Sequence, residues 1–60
     1  MTKEDLNREL NNITEQNFCY ANIMQTYLHH KNYLKNNEYD MEIYYKSIYL
    51  ELLLYHWDNF

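Results

Sequence analysis

The sequence predicts an all-α protein, folded as a single domain over residues 1–60. Apolar residues recur at spacings of three and four, the period of a helix, along most of the chain. The chain also contains no glycine and no proline, so neither the usual helix breakers nor the usual hairpin turns are present. A β alternative rests on the β-prone residues at 43–45 and 48–50, but helical spacing runs through both segments.

The first element is a short helix predicted over residues 2–11. Thr2 is a suitable N-cap, and Glu4 and Asp5 place negative charge in the first turn, where it favours the helix dipole. An apolar stripe begins here and alternates steps of four and three. It comprises Leu6, Leu10, Ile13, Asn17, Tyr20, Met24, Tyr27, Lys31 and Leu34. Within this stripe, a buried Asn17 would fix the register of a coiled coil; an exposed or interrupted position is the alternative.

A break in this stripe is predicted near residues 11–14. Asn12 and Glu15 have the spacing of a capping box, and Thr14, flanked by Ile13 and Phe18, has the spacing of an N-cap with a hydrophobic staple. Both signals mark the start of a second helix. Because no glycine or proline forces the break, one continuous helix of about 33 residues is the alternative.

The second helix, predicted over 15–35, ends at Asn36-Asn37, where an asparagine can adopt the left-handed conformation that stops a helix. Basic or protonatable residues precede this point and favour the carboxyl end of the dipole. They are His29, His30, Lys31 and Lys35. Acidic residues follow and begin a third helix, predicted over 38–58. The two longer helices would form an antiparallel hairpin.

The third helix is apolar on two faces. Met41, Tyr44, Tyr45, Ile48, Leu52 and Tyr55 lie on one face and are assigned to the core of the chain. Ile43, Leu50, Leu53, Leu54 and Trp57 lie on roughly the opposite face. A helix that is apolar nearly all round is expected inside a larger assembly. We therefore expect the second face to bind a partner.

Length and composition also favour an assembly. A chain of 60 residues buries only about 60% of its unfolded surface, whereas 47% of its residues are apolar and 18% aromatic. Its one cysteine permits no internal disulfide. We expect a homodimer formed through the C-terminal helix, with room for a second protein. The predicted partner-binding residues are Tyr49, Leu50, Leu53, Leu54, Trp57 and Phe60.

A polar seam between the two faces contains Asp40, Ser47, Glu51 and Asp58. Its three acids are flanked by Tyr44 and Trp57, so the seam could imitate a nucleic-acid surface or accept a basic partner. A solvated helix side is the alternative.

The remaining patterns exclude several classes of function. The net charge of −4, with scattered basic residues, argues against direct binding of nucleic acid. His29 and His30 point about 100° apart on a helix, and His56 has no acidic or cysteine ligand at chelating spacing, so no metal or cofactor site is expected. Cys19 has no motif that would activate it and is predicted to be a partly buried, inert thiol.

Charged residues also interrupt every run long enough to span a membrane, and the first ten residues lack the pattern of a signal peptide. We therefore expect a cytoplasmic protein without a membrane segment. The absence of glycine, proline and valine together with abundant asparagine and tyrosine is typical of AT-rich coding, as in a low-GC bacterium or one of its mobile elements.

One short motif resembles a known family. Ser47-Ile48-Tyr49-Leu50-Glu51 is similar to the S-x-x-L-D signature of the small two-helix sporulation phosphatases of the Spo-zero-E type, with glutamate in place of the aspartate. The resemblance covers these five residues and implies a helical hairpin with phosphatase activity.

Taken without that resemblance, the residues contain no catalytic constellation, and they favour a non-enzymatic interaction protein. The expected function is that of a small acidic inhibitor or regulator, encoded by a phage or mobile element. It would occupy the surface of a host protein that handles nucleic acid or acts in defence, as anti-CRISPR proteins do. A self-associating structural or assembly factor is the alternative.

Overall fold

The computed structural model describes residues 2–15, 18–37 and 40–56. These residues form three α-helices and no strand: α1 at Lys3–Glu15, α2 at Tyr20–Asn36 and α3 at Met41–Tyr55. The prediction of an all-α protein is confirmed. Within the described ranges, every helix is too short or too polar to cross a lipid bilayer.

Helix α1 begins at a reciprocal capping box. The hydroxyl of Thr2 accepts a hydrogen bond from the backbone N–H of Asp5 at 3.2 Å, and the carboxylate of Asp5 accepts one from the N–H of Thr2 at 3.3 Å. Each side chain thus satisfies a backbone donor that the first turn leaves unpaired. The predicted N-cap at Thr2 is confirmed.

The predicted end of this helix is wrong, because α1 continues past residue 11 to Glu15. Thr14 does not cap a new helix. Its hydroxyl donates to the carbonyl oxygens of Leu10 at 3.3 Å and Asn11 at 3.0 Å, within the same helix. Side-chain bonds of this kind compete with capping and leave the threonine inside the helix.

The break between α1 and α2 lies between Glu15 and Tyr20, so the alternative of one continuous helix is wrong. Cys19 is the N-cap of α2 and has extended backbone angles, φ −129° and ψ 153°. Its side chain makes no capping hydrogen bond. The predicted role of Asn17 lies outside the described residues.

The break changes the face that α2 buries. The buried residues are Ile23, Thr26 and His30, one position before each member of the predicted stripe. A shift of one residue rotates the buried face by about 100°. Lys31, which the stripe placed in the interface, is exposed.

The end of α2 at Asn36-Asn37 is confirmed, but its backbone geometry is not the predicted one. Asn37 has φ −138° and ψ 63°, and no described residue has a positive φ. The backbone N–H of Asn37 donates to the carbonyls of Tyr33 at 2.9 Å and Leu34 at 3.2 Å. The last carbonyls of the helix are therefore satisfied without a left-handed residue.

The core lies where the three helices meet. Leu6 and Ile13 of α1, Ile23 of α2, and Ile43 and Leu50 of α3 are fully or almost fully buried. Ile13, Ile23 and Leu50 form one cluster, so each helix contributes to the same apolar core. The half-buried residues that pack against this cluster are Leu10, Tyr27, Leu53 and Leu54.

The assignment of the two faces of α3 is wrong and has to be reversed. Of the face assigned to the core, Ile48 is half-buried, and the other five residues are exposed. Ile43 and Leu50, on the face assigned to a partner, are completely buried. The physical reason is that the buried face carries the aliphatic Ile43 and Leu50, whereas three residues of the exposed face are tyrosines, whose hydroxyl groups are satisfied by water. The small Ser47 is buried on the inner face, and its hydroxyl has no hydrogen-bond partner among the described residues.

The helix also ends earlier than predicted, at Tyr55 instead of residue 58, with His56 as its C-cap. The predicted roles of Trp57, Asp58 and Phe60 lie outside the described residues.

Candidate partner-binding surface

The exposed apolar side chains of α3 form a continuous surface along the helix, which we call the outer stripe. It comprises Met41, Tyr44, Tyr45, Ile48, Leu52 and Tyr55. Tyr45 is 63% exposed and Tyr55 76% exposed. Because the spacings of three and four place these residues on one side of the helix, their exposure is contiguous and not scattered.

Ring contacts restrict the conformations of the aromatic side chains in the outer stripe. The rings of Tyr44 and Tyr45 meet edge to face, with centroids 5.7 Å apart and an interplanar angle of 70°. At the other end, the rings of Tyr55 and His56 meet at 5.0 Å and 89°. Edge-to-face contact is a favourable aromatic geometry and limits the rotamers that each ring samples.

Between these two ends, the outer stripe contains an open groove of about 370 Å³. Ile48, Leu52 and Tyr55 supply its apolar walls, and Glu51 supplies one carboxylate. The groove therefore combines apolar walls with one carboxylate.

The residues predicted to bind a partner differ in their exposure. Leu50 is completely buried, and Leu53 and Leu54 pack against its cluster. Leu50 therefore belongs to the core of the chain, and Leu53 and Leu54 are half-buried against it. Tyr49 is 44% exposed beside the outer stripe. Trp57 and Phe60 lie outside the described residues.

The predicted acidic seam is not continuous, because Ser47, which lies between Asp40 and Glu51, is buried. Asp40 also has structural partners: its carboxylate accepts from the N–H of Ile43 at 3.3 Å and from the hydroxyl of Tyr33 at 3.2 Å. Burial, together with this bond to Asp40, raises the pKa of Tyr33. Glu51 remains as an exposed acid beside the groove, and Asp58 lies outside the described residues.

A polar network joins the start of α1 to the start of α3. Glu42 pairs with Lys3 at 2.6 Å and with Lys46 at 2.9 Å. The hydrogen bonds from Lys3 and Lys46 lower the pKa of Glu42 to about 2, and the bond to Glu42 raises the pKa of Lys3. Lys46 also donates to Asn7 of α1. These charges hold two helices together and are already paired.

The adjacent histidines have different environments. His29 contacts the carboxylate of Glu9 at 3.0 Å, which links α2 to α1. His30 is completely buried, and its Nδ1 lies 2.8 Å from the carbonyl oxygen of Thr26. Because a carbonyl only accepts, Nδ1 carries a proton, and burial favours the neutral form of the ring. Burial lowers the pKa of His30, and its Nε2 has no hydrogen-bond partner among the described residues.

Two further predictions concern chemistry. Over the described ranges, no three His, Cys, Asp or Glu side chains are arranged to hold a metal ion. Cys19 is exposed at the start of α2, so the prediction of a partly buried thiol is wrong. The cysteine is exposed because it lies at the extended break between two helices, away from the core.

In the motif that resembles the sporulation phosphatases, Ser47 and Leu50 are buried, whereas Glu51 points outward. Comparisons of the chain with protein-family models, with curated proteins and with solved structures find no match. The resemblance therefore stays limited to its five residues.

Helical spacing places the residues of the outer stripe on one face, but it does not say whether that face points to the core or to solvent. One signal favoured exposure: three of its six members are tyrosines, whose hydroxyl groups are readily satisfied by water.

Proposed function

We propose that this chain is a non-enzymatic protein–protein interaction protein that acts through the outer stripe of α3. The observation that carries the proposal is the exposure of five of the six residues of the outer stripe, three of them tyrosine, on a helix whose opposite side contributes Ile43 and Leu50 to the core. Tyrosine is enriched where proteins bind each other, because it buries a large area and keeps a polar group.

In its more specific form, the chain is a small acidic inhibitor or regulator that occupies the surface of a host protein. Glu51 beside the groove and the net charge of −4 favour a partner with a basic rim. Proteins that handle nucleic acid or act in defence present such surfaces. Cytoplasmic action and an origin in a phage or mobile element belong to the same proposal, and the AT-rich composition supports the latter.

The second candidate function is self-association as a structural or assembly factor. It is favoured by two contacts that are consistent with the expected antiparallel hairpin. Tyr33 near the end of α2 bonds to Asp40 at the start of α3, and farther from the turn Ile23 and Leu50 meet in the core. A hairpin of this kind leaves the outer side of α3 free for a second copy.

The test compares proteins captured from a low-GC bacterial lysate by tagged wild type and by Leu52→Lys. Leu28→Lys is the matched control, because Leu28 is similarly exposed, at 56% against 53% for Leu52, but lies on α2. Wild type and Leu28→Lys should capture the same protein, and Leu52→Lys should not capture it. Quantitative mass spectrometry measures the amount captured by each. Equal recovery by all three would contradict the proposal. If untagged chain is added to the lysate, recovery of that chain alone would favour self-association.

A further inference from the structure

We propose that the outer stripe of α3 pairs with the outer stripe of a second copy of this chain. The two α3 helices lie antiparallel, with a two-fold axis passing between the two Ile48 side chains. This inference rests on the proposed role of the outer stripe as a protein-binding surface, and it names the occupant of that surface.

The order of side chains along the outer stripe is complementary to itself. In an antiparallel pair centred on Ile48, a residue three or four positions before Ile48 faces the residue three or four positions after it that lies on the same flank of the helix, and residues seven positions before and after also face each other. Tyr45 then faces Leu52 of the second copy, and Met41 faces Tyr55 of the second copy. Each pairing sets an aromatic ring against a flexible or branched aliphatic side chain, which is the combination that packs without voids.

The position of Glu51 also favours the antiparallel direction. With α3 parallel to its copy, a two-fold axis along the pair would put Glu51 against the flank that carries the apolar Leu52 of the second copy. In the antiparallel pair the two Glu51 carboxylates lie on the same flank, about 9 Å apart along the axis from the helical rise of 1.5 Å per residue. The same arrangement brings Glu51 beside Tyr44 of the second copy, whose hydroxyl can donate to the carboxylate.

The area of the outer stripe fits a small dimer interface. Tyr44, Tyr45 and Tyr55 are 48%, 63% and 76% exposed. With Met41 and Leu52 they offer on the order of 500 Å² per copy, if an aromatic side chain buries about 200 Å² when fully covered. The pair would bury roughly 1,000 Å², near the lower limit for specific interfaces, so the dimer is weak and depends on concentration. A weak pair also leaves the outer stripe available to a tighter partner.

Helix α2 exposes fewer large apolar residues than α3, namely Tyr20 and Leu28. The neighbours of Leu28 on the same side of the helix are the half-buried Met24 and the polar Gln25, Lys31 and Asn32. An isolated exposed leucine is ordinary on a monomer surface.

Sedimentation equilibrium with complementary charges tests both the pairing and its direction. Wild type should be largely dimeric at about 100 µM, whereas Tyr45→Glu and Leu52→Lys should each be monomeric, because each places two charges in the apolar contact. An equal mixture of the two variants should dimerise again, since residue 45 of one copy then meets residue 52 of the other with opposite charge. Leu28→Lys is the control and should sediment as wild type.

Circular dichroism of each variant establishes that the helices are retained; both substituted positions are exposed, so folding should be unaffected. A wild-type monomer at this concentration, or a Leu52→Lys dimer, would overturn self-pairing. Monomeric variants that stay monomeric when mixed would overturn the antiparallel register. The wild type could sediment as a monomer while the Leu52→Lys variant still fails to capture a protein that the wild type captures. That result would contradict this inference alone and would leave the proposed function supported.

Discussion

At the scale of single residues, His30 combines complete burial with an unpaired ring nitrogen. The charged or titratable groups around it are Lys46 of α3, Glu9 of α1 and the neighbouring His29. Burial is the largest influence and lowers its pKa below 6.5; Lys46 acts in the same direction and Glu9 in the opposite one. At pH values just below the ordinary histidine pKa, the folded protein therefore binds fewer protons at this site than the unfolded chain does.

This burial predicts an acid-sensitive fold. The stability contributed by neutral His30 is fully present above pH 6.5 and is lost as the pH falls from there toward the lowered pKa of the folded state. Urea unfolding at a series of pH values should show the wild type losing stability between pH 7 and pH 5. His30→Leu, which is similar in volume and has no ionisable group, should show a smaller loss.

His56→Gln is the control, because His56 is exposed at the end of α3, and this variant should keep the pH dependence of wild type. A His30→Leu variant with the full dependence of wild type would show that another group is responsible.

At the scale of elements, the three helices begin in different ways. α1 has the reciprocal bonds of Thr2 and Asp5, and α3 has the carboxylate of Asp40, whereas α2 begins at Cys19 without a side-chain cap. Asp40 has an additional role, because Lys3 of α1 lies 3.7 Å from it and Tyr33 of α2 donates to it. One carboxylate therefore connects the starts of α1 and α3 to the end of α2.

Removal of this carboxylate should destabilise the whole fold. Asp40→Ala is expected to cost about 1–2 kcal/mol of unfolding free energy, the range for losing an N-cap. Asp40→Asn keeps an acceptor for the N–H of Ile43 and should cost less. Glu51→Gln, which changes an exposed acid on the same helix, should stay within about 0.5 kcal/mol of wild type. Chemical denaturation ranks the three variants, and an Asp40→Ala variant as stable as Glu51→Gln would contradict the role given to Asp40.

At the scale of the whole molecule, α3 separates two apolar surfaces with different uses. Its inner side, with Ile43 and Leu50, completes the core formed with α1 and α2, and its outer side faces solvent in the single chain. A domain of this size is only marginally stable, so the loss of one core side chain is a large perturbation.

Leu50→Ala and Leu52→Ala form a matched pair that tests the orientation of α3. Leu50→Ala leaves a cavity in the core and should cost about 2–5 kcal/mol, enough to unfold much of the protein. Leu52→Ala removes an exposed side chain and should change stability by about 0.5 kcal/mol or less. Thermal unfolding at low micromolar concentration, where the proposed dimer is dissociated, measures both. The reverse ranking would mean that the outer stripe faces the core.

Features that depend only on neighbouring residues can be predicted from the sequence. The helical class, the N-cap at Thr2 and the end of α2 at Asn36 follow from spacing and capping chemistry within a turn or two. The members of the outer stripe were also determined, because side chains three and four apart share a face wherever that face points.

Tertiary structure decided which way each face points. Both sides of α3 are apolar, so spacing along this helix cannot say which one meets α1 and α2. The interruption between Glu15 and Tyr20 then turns α2 so that Ile23 and His30, and not Lys31, face the core. With that core in place, the side of α3 carrying Ser47 and aliphatic residues packs closely, and the side carrying the tyrosines stays in water, because burial would leave their hydroxyl groups in need of partners.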